Sequence, residues 1–298
     1  MKVFVTGATG WVGSAVITEL LAAGHEVLGL ASSDEGAAQL AARGVAVHRG
    51  ELSDLDSMAA GARACDGVIH TAFIHDFKDF NAAGEADRAA IEAMGEALAG
   101  TGKPLITTSG SAHLRPGRIG TENDAPDPEA KAQHRVPSEE LTLTLAERGV
   151  RAMVMRLPPS VHGDGDYGFV PRLIDIARDR GVAAYIGDGE NRWPAVHRFD
   201  AAHLYRLALE KGKAGARYHA IDDQGIPTRE IAAAIGKGLH LPVESIPEDE
   251  AAAHFGFLAR FFGTDCPTSS KQTREQLNWQ PERPGLIDDL ALPHYFRN

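Results

Sequence analysis

Short apolar segments alternate with helical patterns through the first half of the chain, and this alternation constrains the fold more than any other feature. Segments rich in Val, Ile and Leu have the length of strands at 2–7, 25–31, 45–50, 66–72, 103–110 and 150–157. Stretches with apolar residues at helical spacing separate them at 11–24, 35–44, 53–62, 85–100 and 138–149. Short connections between strands and helices require a parallel sheet covered on both faces. With right-handed crossovers, the sequence predicts a doubly wound α/β sheet.

The second half of the chain loses this rhythm after about residue 160. Gly, Asp, Pro and aromatic residues become frequent, and helical patterns return at 200–210, 228–238, 247–262 and 268–277. We expect a smaller, mainly helical C-terminal substrate lobe that packs over the carboxyl ends of the strands. The predicted nucleotide-binding domain covers 1–160 and about 195–212, and the predicted lobe covers about 161–194 and 213–298.

The composition argues against two classes of partner. The 298 residues carry 41 acidic and 30 basic side chains, a net charge of −11, without a run of basic residues. Neutralising phosphates requires clustered Lys and Arg, so we expect no nucleic-acid partner. No apolar run approaches the roughly 20 residues that span a bilayer, and the chain opens on a strand instead of a signal leader. We therefore expect no membrane partner and a cytoplasmic location.

Neither the cysteines nor the carboxylates have the spacing of a metal site. Cys65 and Cys266 are far apart, and we expect both to be incidental thiols. Asp164 and Asp166 lack the further carboxylates of a calcium loop, so the segment "HGDGDYG" is interpreted as a turn. The sequence therefore predicts no bound metal.

The segment "TGATGWVG" places three glycines, Gly7, Gly10 and Gly13, between the first strand and the first helix. One glycine permits the tight turn, another lets the backbone approach a pyrophosphate, and the third lets helix and strand pack closely. The N-terminus of the helix then offers free N–H groups and a partial positive charge to the phosphates. This pattern predicts a dinucleotide site whose first contacts are Gly7, Thr9, Gly10, Trp11, Val12 and Gly13.

Further segments follow in a fixed order: "GELSD" at 50–54, "VIHTAF" at 68–73, "RLPPSVHGDGD" at 156–166 and "WPAVHRFDAA" at 193–202. Together with the glycine loop, they resemble the extended and atypical short-chain dehydrogenase/reductases, also labelled the NAD-dependent epimerase/dehydratase group. The resemblance covers nearly the whole chain. It implies a Rossmann-type cofactor domain, a small-molecule substrate and a homodimer. It also implies cofactor contacts from Glu51, Leu52, Thr71, Ala72, Phe73 and Pro158.

The end of the second strand bears on the choice of nicotinamide cofactor. An NAD-preferring site has an acidic residue there for the ribose 2′-hydroxyl, whereas this chain has Ala31, Ser32 and Ser33. Hydroxyl groups can donate to a 2′-phosphate, which favours NADP(H), with NAD as the alternative. The Arg that is common in NADP sites is missing, because Ser32 occupies its place. The other interpretation is that Ser32 and Ser33 only cap the next helix.

The segment "HRVPSEE" at 134–140 departs from the pattern of the group. The resemblance implies a Tyr-x-x-x-Lys pair in this helix, in which lysine lowers the pKa of tyrosine and tyrosine passes a proton to the substrate. In this chain Arg135 stands at the tyrosine position and Glu139 at the lysine position. No tyrosine lies in the segment.

Three interpretations of this departure remain open. Another residue can replace the tyrosine as the acid, with His113, His134, Arg135 and Tyr167 as candidates and Ser109 and Ser111 as carbonyl donors. The protein can instead bind the nucleotide without turnover, as a sensor. Finally, Arg135 and Glu139 can form a surface ion pair of only structural importance.

We expect an NADP(H)-dependent oxidoreductase acting on a small carbonyl/alcohol pair, with the sensor as the alternative. A sugar-nucleotide epimerase or dehydratase is a further alternative, weakened because such enzymes also use the Tyr/Lys pair.

Two more segments have two interpretations each. "NRWPAVH" at 191–197 is a substrate loop or a pin between the lobes, and "HFGFLARFFG" at 254–263 is core of the lobe or a lid.

Overall fold

A computed structural model describes residues 1–74, 80–130 and 133–297. Its strands are β1 (Lys2–Thr6), β2 (Glu26–Ala31), β3 (Ala46–Arg49), β4 (Gly67–His70), β5 (Pro104–Gly110), β6 (Arg151–Leu157), β7 (Ser160–His162), β8 (Ala183–Ile186), β9 (Arg192–His197), β10 (Arg217–His219), β11 (Asp223–Pro227) and β12 (Val243–Ile246). Its α-helices are α1 (Trp11–Ala22), α2 (Asp34–Ala42), α3 (Leu55–Arg63), α4 (Phe80–Leu98), α5 (Val136–Thr144), α6 (Phe169–Arg180), α7 (Arg198–Lys211), α8 (Thr228–Leu239), α9 (Ala251–Phe255), α10 (Ala259–Phe262), α11 (Lys271–Leu277) and α12 (Leu286–Leu290). Short 3₁₀ turns cover Gln133–Arg135, Leu145–Arg148, Gly256–Leu258 and Pro293–Tyr295.

The larger sheet is parallel and has the strand order β10–β6–β5–β4–β1–β2–β3. The six strands and five helices predicted for the first half are all present, which confirms the doubly wound α/β fold. Strand β4 is buried along its whole length, because helices cover both faces of the sheet. The strand order reverses between β1 and β4, and the carboxyl ends of these strands open the crevice in which α/β folds bind ligands.

Helix α7 packs against the first helix of the nucleotide-binding half. Its buried side chains Leu204, Tyr205 and Ala208 belong to the same apolar cluster as Val3 and Val16. Polar contacts extend this interface, since Arg206 donates to Glu19 at 2.7 Å and His25 lies 3.0 Å from Glu210. The chain therefore leaves the main sheet after β6, and α7 brings it back to that sheet, where β10 then pairs with β6.

The C-terminal part has its own apolar cluster, in which Trp193, Phe255, Phe262 and Leu286 are buried. Besides the expected helices, it contains two small sheets of order β11–β9–β7 and β12–β8. The sequence pattern did not predict these strands, because they are only three to six residues long and two of them, β9 and β11, contain Gly or Pro. The boundary between domain and lobe remains a prediction.

Candidate active site

The glycine loop between β1 and α1 is packed so closely that side chains cannot replace its glycines. Gly7 has a φ of +63°, and a Cβ added to it would lie 2.7 Å from the backbone nitrogen of Ala72. A Cβ on Gly13 would overlap the carbonyl oxygen of Gly7. Gly10 is the N-cap of helix α1 and provides no side-chain cap. The Trp11 N–H donates to Tyr167, whereas the next N–H groups of the first turn, those of Val12 and Gly13, remain available to a ligand. The loop therefore fits the pyrophosphate of a dinucleotide.

Two adjoining cavities extend from this loop along the carboxyl ends of the strands. The first, of about 560 Å³, is lined by the predicted contacts Gly7, Thr9, Gly10, Trp11, Val12, Gly13, Thr71, Ala72 and Phe73. The second, of about 310 Å³, is lined by Ser32, Ser33, Glu51 and Leu52, and it shares Gly7 and Thr9 with the first. Pro158, also predicted to contact the cofactor, lies in the wall of a third cavity described below. The structure thus brings the other predicted cofactor contacts together in one elongated groove.

The corner beside Ser33 contains a cation that sequence reasoning missed. The Ser33 hydroxyl accepts the N–H of Gly36 at 3.1 Å, so this serine does cap α2. Arg49 donates to the Ser33 carbonyl oxygen and, at 2.8 Å, to Asp34. Strand β3 delivers this arginine to the corner, because Ala31 and Arg49 are paired in the β2–β3 ladder. Because the sequence does not reveal this register, the position of Arg49 could not be predicted from spacing alone.

The third cavity, of about 240 Å³, adjoins the cofactor groove. Its walls contain four of the six candidate catalytic residues, namely Ser109, His113, His134 and Arg135. Aromatic side chains from several elements form much of the remaining wall: Phe73, Phe80, Phe169 and Phe261. Arg135 lines both this cavity and the cofactor cavity. The residue at the tyrosine position of the family pattern therefore lies at the junction of the two cavities.

The guanidinium group of Arg135 is fixed on two sides. Its Nη1 donates to the Thr108 carbonyl oxygen at 3.1 Å and lies 3.6 Å from Asp87 Oδ1, and the group stacks on the Phe73 ring at 3.5 Å. Burial lowers the pKa of Arg135 and Asp87 opposes this effect, but a guanidinium remains a cation at neutral pH. Within the described ranges, Nε and Nη2 have no hydrogen-bond partner. Arg135 can therefore offer two N–H donors to a bound molecule.

A buried chain of polar side chains connects Arg135 to the glycine loop. His70 Nε2 lies 3.1 Å from Asp87 Oδ1, and His70 Nδ1 lies 2.7 Å from the Thr6 hydroxyl. Since a carboxylate only accepts, Nε2 carries the proton, and in the neutral ring Thr6 donates to Nδ1. Burial raises the pKa of Asp87, but the His70 hydrogen bond and the charge of Arg135 outweigh it and hold the pKa below its usual value. Asp87 is therefore ionised and holds Arg135 by charge.

Glu139, at the lysine position, has a structural role. It is fully buried and pairs with Arg156, while Arg217 Nε donates to it at 2.9 Å. His113 Nε2 lies 3.2 Å from the same carboxylate. Burial raises the pKa of Glu139, but the hydrogen bonds from His113 and Arg156 and the charge of Arg156 outweigh it and hold the pKa well below its usual range. The interpretation of Arg135 and Glu139 as a surface ion pair is wrong, because each is largely buried and bonded to other residues.

The remaining candidate acids and donors have different environments. His134 contacts the Phe80 ring at 4.8 Å, and burial, with the charge of Arg135 next, lowers its pKa to about 4. Its imidazole is therefore neutral at pH 7.

The Ser109 hydroxyl is buried and has no hydrogen-bond partner among the described residues. Ser111 is fully buried and does not contribute to the cavity walls described here. Tyr167 lies over the glycine loop instead, where its hydroxyl accepts the N–H of Trp11 at 3.0 Å.

The structure also shows the position of three further segments. Trp193 and Pro194 lie in strand β9, and Trp193 is fully buried in the C-terminal cluster, so it is core of that part of the chain and lines none of the three cavities. In the segment 254–263, Phe255 and Phe262 are core, whereas Phe261 lines the third cavity. The segment "HGDGDYG" contains a turn, as predicted.

Both cysteines are buried, and burial raises the pKa of the Cys266 thiol to about 12.

The family described as "NAD dependent epimerase/dehydratase family" matches residues 3–222. The chain belongs to this family. It is 52% identical to "Uncharacterized protein C2A9.02" of Schizosaccharomyces pombe over 99% of this chain and 100% of the relative. A second relative, 28% identical over 86% of this chain and 80% of its own, is the 4-hydroxy-2-methyl-3-oxo-4-farnesyl-3,4-dihydroquinoline-1-oxide ketoreductase of Stigmatella aurantiaca.

The fold is shared with solved structures of the same type. DesIV, a dTDP-glucose 4,6-dehydratase from Streptomyces venezuelae with NAD and TYD bound, has a TM-score of 0.79 at 19% identity, covering 99% of this chain and 96% of its own. The protein is thus an NAD(P)-dependent enzyme of the epimerase/dehydratase family with a Rossmann-type fold. Across the described ranges, no helix has both the length and the apolar character needed to cross a bilayer.

Proposed function

We propose that this protein is an NADP(H)-dependent oxidoreductase that interconverts a small carbonyl compound and its alcohol. The observation that carries the proposal is the position of Arg135, whose cation lies between the cofactor groove and the third cavity. The third cavity is the proposed substrate site. The second relative is named as a ketoreductase, which supports carbonyl reduction over epimerisation.

In this proposal Arg135 and Ser109 hold the reacting oxygen. A nicotinamide nucleotide supplies hydride to the carbonyl carbon or accepts it from the alcohol, so that carbonyl compound, reduced nucleotide and one proton balance alcohol and oxidised nucleotide. Arg135 stabilises the negative charge that develops on the oxygen, as preorganised donors do in oxyanion sites. Ser109 adds its unpartnered hydroxyl as a second donor. Both groups are held by buried structure, so little reorganisation is needed.

The proton requires another residue, because a guanidinium does not release its proton near neutral pH. His134 is neutral at pH 7 and acts at most as a hydrogen-bond donor. We assign the proton to His113, which lines the proposed substrate site and lies 3.2 Å from the Glu139 carboxylate.

The preference for NADP(H) is proposed from the corner at the end of β2. Ser32 and Ser33 leave room where a carboxylate would repel a 2′-phosphate, and Arg49 contributes a cation at the same corner. Arg49 is about half exposed, so its side chain can turn from Asp34 to a phosphate at little cost. Tighter binding of NADPH than of NADH, by at least about tenfold in a fluorescence titration, is expected.

A second candidate function is nucleotide sensing without turnover. The observation that favours it is Glu139, since no lysine stands at this position to hold the nicotinamide ribose. A panel of ketones, aldehydes and lactones, with NADPH absorbance as the readout, separates the two candidates. Oxidation of NADPH by any panel member supports the reductase, whereas tight NADPH binding without oxidation by any of them rejects it in favour of the sensor.

A further inference from the structure

We propose that the substrate carries a carboxylate next to the reacting carbonyl group and an apolar tail of about one ring, as in an aryl-substituted 2-oxo acid. This inference rests on the proposed function and names the substrate class for that site. The corresponding product is a 2-hydroxy acid.

The first observation that supports this inference is the charge of the cavity. The chain has 41 acidic residues, yet among the described residues none contributes an acidic side chain to the wall of the substrate cavity. The wall does contain the cationic Arg135, and Arg260 adds positive charge near His134. Asp87 is the counter-charge of Arg135 but does not line the cavity, so an anionic ligand would meet a cation and no repelling carboxylate in the described wall.

The second supporting observation is the hydrogen bonding of Arg135. Asp87 is its nearest counter-charge, but Asp87 Oδ1 accepts from His70 and stays 3.6 Å from Arg135 Nη1. Within the part of the chain that the structure describes, Nε and Nη2 of Arg135 remain without a hydrogen-bond partner. Two parallel N–H donors on one guanidinium edge are the geometry that binds a pair of oxygens.

The third supporting observation is the environment of the Ser109 hydroxyl. It is only 5% exposed, lines the cavity and has no hydrogen-bond partner in the described ranges. Buried hydroxyls without partners are uncommon, so this one points to a ligand oxygen. In a 2-oxo acid the carbonyl oxygen and one carboxylate oxygen lie side by side. One N–H of Arg135 and Ser109 can therefore meet the carbonyl oxygen while the other N–H meets the carboxylate.

The last supporting observation is the apolar part of the cavity wall. Phe73, Phe80, Phe169 and Phe261 line the cavity together with Leu157. Its volume of about 240 Å³ lies below the roughly 300 Å³ lower end of drug-sized sites, which limits the tail to about one ring or a branched alkyl group. The cavity therefore combines an anion contact at the cofactor end with an apolar remainder.

The test compares matched acids and esters. With NADPH, kcat/KM for 2-oxo-4-phenylbutanoate should exceed that for its ethyl ester by roughly 10- to 100-fold, as expected for a charge-assisted pair. Arg135→Met should remove this ratio, whereas Arg178→Met, a surface arginine that pairs with Asp175, should leave it unchanged. An ester used as well as the acid overturns the substrate class while the proposed function stands.

Binding without turnover gives a second readout. By calorimetry on protein saturated with NADP⁺, 4-phenylbutanoate should bind at least about tenfold tighter than 4-phenylbutanamide, and Arg135→Met should abolish the difference. Equal binding of acid and amide overturns the inference. Failure of the proposed function is a separate outcome, namely no oxidation of NADPH by any carbonyl compound of the wider panel.

Discussion

The carboxylate of Asp87 is predicted to hold Arg135 in place, and Asp87→Asn tests this with little change in shape. Asp87 is fully buried on α4, with His70 on one side and Arg135 on the other. At 3.6 Å and an effective dielectric constant of about 20, the two charges attract by about 4–5 kcal/mol. The cost of burying the carboxylate offsets part of this attraction, so a net loss of about 2–3 kcal/mol of folding free energy is expected.

The same substitution should reduce catalysis. An asparagine can still accept from His70, but it leaves the guanidinium of Arg135 without its counter-charge and free to shift. A displacement of about 1 Å at a catalytic group costs on the order of 10²-fold in rate, so kcat should fall by about 10- to 100-fold. Urea unfolding and steady-state NADPH oxidation measure the two effects, with the exposed Asp56→Asn as control. If Asp87→Asn changes stability by less than about 0.5 kcal/mol and leaves kcat intact, the positioning role is refuted.

Further predictions concern the cofactor groove and the buried ion cluster. Arg49→Met should weaken NADPH binding by about tenfold and NADH binding by less than twofold in fluorescence titrations, since only the 2′-phosphate loses a contact. Gly13→Ala should abolish binding of both nucleotides, because its Cβ overlaps the Gly7 carbonyl oxygen; calorimetry would detect retained binding and disprove this. Glu139→Gln should lower folding stability by about 3–5 kcal/mol, because Arg156 loses its buried partner. The folded-state pKa of Glu139 lies below its usual value, so its contribution is present above about pH 4.5 and is lost as the pH falls further. Unfolding curves of wild type and Glu139→Gln should therefore converge in acid, and parallel curves across this range would contradict the assignment.

The sequence was sufficient for the features that depend on local spacing. The glycine loop could be predicted because Gly7, Gly10 and Gly13 lie within one strand–turn–helix unit and their roles follow from that unit alone. The parallel sheet followed from the alternation of short apolar runs and helical patterns. The strands of the C-terminal part did not follow, because they are short and are stabilised by pairing with distant segments.

The active-site environment depended on long-range contacts that spacing does not reveal. Arg135 stood at the right position in the sequence pattern, but its partner Asp87 lies on another helix. Glu139 looked like a possible surface residue, since its partners Arg156 and Arg217 are brought to it only by β6 and β10. Arg49 reached the corner at the end of β2 through the register of β2 and β3. In each case the tertiary fold, and not the local pattern, determines what the side chain contacts.

The central claim is that Arg135 holds the reacting oxygen in place of the missing tyrosine. The most direct measurement is kcat/KM of Arg135→Ala with the best carbonyl substrate, with and without added guanidinium ion. We expect a loss of about 10²–10³-fold, comparable to the removal of one oxyanion donor, with NADPH affinity changed by less than about threefold. Millimolar guanidinium should restore part of the activity. An Arg135→Ala variant that retains wild-type kcat/KM would contradict the account.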